Sequence, residues 1–324
     1  MTQFGVVAIG RNEGERLRRC LASVLPFAGA VVYVDSGSTD GSAQMARELG
    51  AVVVDLDMNL AFTAARARNE GFRHLRRIAH DLDYVQFVDG DCEVADGWLR
   101  QAQAFLDTHP AVAAVCGRRR ERHPERSIYN LLCDIEWDTP VGEARACGGD
   151  VLMRVDAVER VGGYREGLIA GEEPELCVRL RAAGWKIWRL DAEMTLHDAA
   201  MIRFGQWWSR ATRAGFAFAE GSRLHGKPPE RHWVRESRSA WFWGVALPAA
   251  IVLLSFAWGA LALMLALVDP LQVLRLFLRG TGAPKARAAR ALFLVLGKFA
   301  EAWGQMRYVW RELRGGPARL IEYK

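Results

Sequence analysis

The chain has 324 residues, 51% hydrophobic and 25% charged, which excludes a disordered chain and leaves room for about two domains. Its net charge of +5 is unevenly spread: residues 241–324 hold 11 Lys+Arg against 4 Asp+Glu, and the first 240 hold 32 against 34. A basic excess confined to the tail does not suit a nucleic-acid-binding body, so no nucleic acid is expected as a partner.

Residues 4–9 (FGVVAI) form a short Val-rich run ending at Gly10, as a buried strand does. Helical spacing follows over 12–25, with Leu17, Leu21, Val24 and Leu25 on one face. Strands are predicted at 30–34, 51–54, 84–88 and 111–115, and helices at 42–49, 64–79 and 97–107. This alternation implies a mostly parallel α/β sheet with helices on both faces. Ligands of such sheets bind beyond the carboxyl ends of the strands. Three polar clusters share that edge: Arg11-Asn12-Glu13, Asp35–Asp40 and Asp89–Asp91. Residues 117–147 are polar and irregular, and the charge run RRRERHPER at 118–126 reads as a solvated loop.

Further on, 241–268 is 28 residues without a charge, Ser255 being its one polar side chain. About 20 apolar residues suffice to span a bilayer as a helix, so this segment is expected to enter the membrane. Trp241, Phe242 and Trp243 suit an interfacial aromatic belt. Over 291–310, Leu292, Leu296, Phe299, Trp303, Met306 and Trp310 recur at helical spacing, and Lys298, Glu301, Gln305 and Arg311 avoid that stripe. That is the pattern of an amphipathic helix lying on the membrane. Flanking charges are four against four (Lys227, Arg231, Arg235, Arg238; Arg275, Arg279, Lys285, Arg287), so they assign no orientation. The six cysteines form no CxxC pair and precede the apolar run, and the N-terminus lacks a basic leader. Reduced thiols and a catalytic domain on the cytosolic side of the cytoplasmic membrane are therefore expected. The expected organisation is a globular domain at 1–225 whose two halves divide at about 115, a basic linker at 226–240, the membrane segment at 241–268, and surface helices at 269–324.

Asp89-Gly90-Asp91 follows the apolar strand YVQFV directly. Two carboxylates flanking a glycine can face one ligand, and their oxygens suit a hard cation such as Mn²⁺ or Mg²⁺ that would neutralise a diphosphate. Asp35, opening DSGSTDG, can accept a hydrogen bond from a nucleotide base or sugar. No P-loop Lys-Ser/Thr pair and no GxGxxG follow the first strand, which disfavours simple ATPases and nicotinamide enzymes.

The ordered motifs VVAIGRNE, DSGSTDGS, NLAFTAARARNEGF and FVDGDCEV resemble the inverting family 2 glycosyltransferases of GT-A fold. CGGDVLMRVDAVERVGGYREGL and GEEPELCVRLRAAGWKIWRLDAEMTLHD continue the resemblance to about residue 200. It implies a nucleotide-sugar site at Ile9, Gly10, Arg11, Glu13, Asp35, Ser36, Arg68, Asn69, Asp89, Gly90 and Asp91. It also implies a metal site at Asp91, Asp89 and His197. Glu172-Glu173 stands where the family usually shows Glu-Asp, and the second carboxylate of that pair is the catalytic base. Glu173 is therefore the expected base, with Glu172 or Glu175 as fallbacks. Processive members carry QxxRW and several membrane helices, but Gln206-Trp207-Trp208-Ser209-Arg210 departs from that spacing. Non-processive transfer of one sugar is expected, from a UDP-sugar to a lipid-linked saccharide in envelope or exopolysaccharide synthesis. The alternatives are a polyprenyl-phosphate sugar transferase and a non-catalytic membrane scaffold.

Overall fold

The structure, a computed structural model, describes residues 4–259 and 264–315. Residues 260–263 of the expected membrane segment and the last nine of the basic tail lie outside the described residues.

The chain divides into two units, one of residues 1–123 and 133–199, the other of 124–132 and 200–324. In chain order the first unit opens with β1 (Phe4–Gly10), α1 (Glu15–Val24), β2 (Ala30–Asp35), α2 (Ser42–Glu48), β3 (Val52–Asp55) and α3 (Ala64–Ile78). It continues with β4 (Tyr84–Asp89), β5 (Cys92–Val94), α4 (Trp98–Thr108) and β6 (Val112–Glu121). The helix α5 (Ile128–Glu136) precedes β7 (Gly142–Glu143), β8 (Val151–Arg154), α6 (Val155–Arg160), α7 (Glu172–Ala182) and β9 (Lys186–His197).

Among the described residues nine strands form one sheet, ordered β3-β2-β1-β4-β8-β6-β9-β5, with β7 also paired to β9. The first four strands are mutually parallel, and β8 runs antiparallel to both β4 and β6. Successive side chains of β1 enter opposite cores: Val6 and Ala8 pack with α1, α2 and α4, and Val7 and Ile9 pack with α3, α6 and α7. A strand buried on both faces must be apolar throughout, which is why FGVVAI reads as one continuous run.

Two elements differ from the sequence reading. The first helix begins at Glu15 rather than Asn12, because Asn12 (φ 55°) and Gly14 (φ 50°) hold left-handed backbone that no helix can include. The first part of the charge run at 118–126 is not a solvated loop, whereas 122–126 is a turn that ends in the exposed Glu125 and Arg126. Arg118, Arg119, Arg120 and Glu121 extend β6, and Arg118, Arg119 and Glu121 are buried or nearly so. Register shifts on either side of Arg118 mark bulges, which re-aim strand side chains. Gly117 permits this, since a Cβ there would lie 2.6 Å from the Ala192 carbonyl oxygen.

The second unit holds the helix α8 (Phe204–His225), a helical run from Val234 to Trp258, the helix Val268–Arg279 and the 31-residue helix Pro284–Arg314. The helix α8 packs on Pro284–Arg314 through glycines. A Cβ on Gly215 would lie 2.0 Å from Glu301 O, and one on Gly304 would lie 2.0 Å from Thr212 O. Only glycine lets two helix backbones approach so closely. The long helix keeps Ala300, Ala302 and Gln305 inside and leaves Leu292, Trp303, Met306 and Trp310 exposed.

Candidate active site

The register of the parallel strands levels their carboxyl ends. Gly10 of β1 pairs with Asp35 of β2, and Ile9 pairs with Asp89 of β4. The backbone N–H groups of Ser36 and Gly90 donate to Gly10 O and Ile9 O, locking the two strand-end turns onto β1. Gly90 suits this approach, since a Cβ would crowd Ile9 O at 3.1 Å. Gly10 is crowded in the same way by Glu13 and Tyr33.

The Asp35 carboxylate is 4% exposed and accepts from Tyr33 Oη (3.0 Å), Gly37 N (3.0 Å) and Ser38 N (2.8 Å). It shapes the turn that follows β2. Asn12 closes that turn from the other side, its Oδ1 accepting Thr39 N at 2.7 Å. Glu13 is held by Arg16 at 2.7 Å, and Arg11 is exposed beside it.

Arg68 reaches the same edge from α3. Its side chain is 3% exposed, and its guanidinium bridges Asp89 Oδ1 and Glu172 Oε1, each at 2.7 Å. Two carboxylates about a buried cation raise its pKa further against the desolvation that opposes them. Asn69, the next residue, does not join the site: its amide cross-links α3 to the segment after α6, bonding Tyr164 N, Tyr164 O and Glu166.

Asp91 and His197 meet because β5 pairs with β9, placing Cys92 opposite His197. His197 Nε2 lies 3.1 Å from Asp91 Oδ2. Burial, reinforced by the nearby Arg119 charge, pushes the imidazole pKa down to about 4. The contact is thus a hydrogen bond to a neutral ring rather than an ion pair. Its Nδ1 is buried without a hydrogen-bond partner among the described residues.

With the ring proton on the otherwise unpaired Nδ1, Nε2 and the Asp91 carboxylate form a donor pair that fits a cation such as Mn²⁺. Atoms of Asp91, Cys92 and His197 lie within 4.8 Å of one another. The Cys92 side chain belongs to the apolar core, and burial pushes its thiol pKa well up, so the neutral thiol is a poor ligand. Asp91 and His197 are the residues that would hold a metal.

Two residues that sequence reading did not single out, Asp150 and Gly149, tie these parts together. Asp150, completely buried, accepts from Asp89 N (3.0 Å) and Thr195 Oγ1 (2.9 Å) and pairs with Arg119 at 2.9 Å. The motif CGGD carries it at its fourth position, and that was the available signal. Gly149 gives these groups room, since a Cβ there would lie 2.7 Å from Arg68 Nη2 and 2.8 Å from Asp89 Oδ2 and would push them apart.

The three acidic residues opening α7 have separate surroundings. Glu173, 2% exposed, accepts from Cys147 N (2.7 Å), Gly148 N (2.8 Å) and Cys177 Sγ (2.8 Å), with burial raising its pKa. Glu175 is gripped by the Arg179 fork at 2.7–3.1 Å. Glu172 is held through one oxygen by Arg68 and keeps 12% of its side chain exposed.

Residues 6–157 match the family model for glycosyl transferase family 2. The chain is 28% identical over 189 residues to the succinoglycan biosynthesis protein ExoA of Rhizobium meliloti (strain 1021), covering 55% of each chain. It spans about half the length of the curated relatives it matches. Among solved structures it resembles the mannosyltransferase PcManGT from Pyrobaculum calidifontis in complex with GDP-Man and Mn²⁺, with a TM-score of 0.64 at 18% identity over 96% of this chain and 88% of that one. It also resembles GalNAc-T7 with UDP, GalNAc and Mn²⁺, with a TM-score of 0.53 at 16% identity over 76% of this chain and 52% of that one.

Proposed function

Since the chain carries a glycosyltransferase domain of family 2 in a GT-A-like fold, we propose that it is an inverting, non-processive transferase, moving one sugar from a nucleoside-diphosphate sugar to a hydroxyl of a lipid-linked saccharide. The donor is most simply a UDP-sugar. The observation that carries this reading is the neutral His197 against Asp91, beside the strand end where Arg68 holds Asp89. Mn²⁺-bound nucleotides in two solved relatives of the fold support a divalent cation here, Mn²⁺ or Mg²⁺.

The chain's own residues divide the work. The turns after β1 and β2, built on Gly10 and Asp35, receive the nucleoside. Arg68 sits where the diphosphate would lie and fixes Asp89. A bound cation would neutralise the diphosphate as the bond from the anomeric carbon to its oxygen breaks and the electron pair leaves with it.

The acceptor hydroxyl attacks from the opposite face and must lose its proton to a base. We assign that base to Glu172, because both oxygens of Glu173 are occupied by backbone donors and Glu175 is clamped by arginine. Glu173 then positions the 147–148 loop, and Arg68 orients Glu172.

Membrane residence is part of this reading. The helical run Val234–Trp258 has the length and composition to cross a bilayer and is barely buried within the protein. Val252, Leu253, Phe256 and Trp258 on it are exposed, as are Trp303 and Trp310 on the long helix. Apolar faces of this extent are stable against lipid rather than water. On this reading the catalytic unit faces the cytosol at the cytoplasmic membrane. Mass spectrometry of the purified full chain, incubated with UDP-, GDP- and other nucleotide sugars with and without a chelator, tests the reading. Metal-dependent loss of one donor supports it, and inertness toward every donor overturns it.

A further inference from the structure

Where the polar part of the second unit meets its apolar helix, three arginines cluster. Arg235, Arg238 and Phe242 recur at three- and four-residue steps on the helical run, and Arg231 lies in the turn before it. With Ser239 and Trp243 they line a cleft of about 480 Å³. Three other basic side chains of this unit are neutralised: Arg311 pairs with Glu220, Lys298 with Glu301, and Arg223 with Glu312. The side chains of the cleft arginines make no ion pair or hydrogen bond among the described residues. Three unneutralised guanidinium groups converging on one cleft repel each other, and a bound anion relieves that repulsion.

The position of the cleft says which anion. Arg238 is the last charge before Trp258, and the 20 residues of 239–258 continue as helix without another. At 1.5 Å per residue they span about 30 Å, the thickness of a bilayer core. The arginines therefore lie at the level of lipid headgroups, with Trp243 and Phe242 at the depth where aromatic rings settle. Arginine presents a planar fork matched to phosphate oxygens.

We propose that this cleft binds the phosphate headgroup of an anionic membrane phospholipid, seating the helix at a fixed depth. The proposal rests on the reading that 239–258 enters the bilayer. The phosphates of a lipid-linked acceptor share the same chemistry, and the test separates the two sources.

The experiment uses the purified full chain in three forms: wild type, R231Q/R235Q/R238Q, and a control R275Q/R279Q/K285Q that loses equal charge outside the cleft. Flotation with neutral phosphatidylcholine vesicles reports membrane entry. Native mass spectrometry in non-ionic detergent then counts retained phosphatidylglycerol, with undecaprenyl diphosphate and inorganic phosphate as separate probes. All three forms are expected to float with neutral vesicles. Wild type and control retain phosphatidylglycerol, and the cleft variant loses affinity by about 100-fold, near tenfold or less per arginine. Failure of wild type to float overturns the membrane reading on which the proposal rests. Flotation with equal phosphatidylglycerol retention by wild type and cleft variant overturns the cleft alone. Equal losses in the cleft variant and the control, or retention of undecaprenyl diphosphate or inorganic phosphate in place of phosphatidylglycerol, also overturn it.

Discussion

Asp150 and Asp89 stand 61 residues apart in sequence, and the Asp150 carboxylate accepts the Asp89 backbone N–H at 3.0 Å. The same carboxylate neutralises the buried Arg119 and bonds Thr195, two residues before His197. One side chain thus holds the strand end that carries Asp89 and the strand that carries His197.

Asp150→Asn is expected to lower stability by about 3–5 kcal/mol, the cost of leaving a buried cation without its partner. Loss of this support should also weaken Mn²⁺-dependent nucleotide binding by about 10–100-fold. Thermal unfolding and calorimetry with UDP and Mn²⁺ check both, and unchanged binding in a folded variant would remove Asp150 from the site.

Arg68→Met strands Asp89 and Glu172 as neighbouring carboxylates with no cation between them. A stability loss of about 3–5 kcal/mol is expected, together with loss of transfer. Arg68→Lys supplies one point charge in place of a fork, so it should recover stability but not full transfer. Equal activity of the lysine variant and the wild type would show that bridging both carboxylates is unnecessary.

Asp91→Ala removes the carboxylate that faces His197. Metal-dependent UDP binding should fall to the level seen when the wild type is treated with chelator, and adding Mn²⁺ should not restore it. His197→Ala should give a smaller loss that excess Mn²⁺ partly recovers, since one ligand of the pair remains.

The two glutamates opening α7 are separable. Glu172→Gln should fold normally, bind donor and lose transfer, because shape persists and basicity does not. In Glu173→Gln the new NH₂ group faces a donor at Cys147 N or Gly148 N, so the variant should unfold at lower temperature by a loss of about 1–3 kcal/mol. A stable, transfer-dead Glu173→Gln beside a fully active Glu172→Gln would return the base to Glu173.

Gly304→Val places a side chain against the Thr212 carbonyl and the Phe216 amide of α8. The helix pair must separate, and a cost of at least about 1–3 kcal/mol is expected. Detergent-phase unfolding should reveal it, while calorimetric UDP affinity stays near wild type because every donor-site candidate lies in the first unit.

The sequence by itself determined the layered α/β plan and the strand edge where the candidate site residues gather. Strands such as FGVVAI and YVQFV are buried on both faces, so their hydrophobicity is continuous and their polar ends stand out; the acidic triplet at 89–91 was legible for that reason. It also determined the apolar helix, because charge-free length is a property of the chain alone. What only the tertiary structure decided were the partners. Arg118 and Arg119 looked like a solvated charge run because the carboxylates that neutralise them, Asp134, Asp138 and Asp150, lie 16 to 31 positions further along the chain. Glu173 and Glu172 differ by one position in sequence, yet a helix turns about 100° per residue. One therefore faces the buried 147–148 loop and the other faces Arg68. Buried charge is permitted only by specific partners, and in this fold those partners are brought together by strand pairing rather than by sequence proximity.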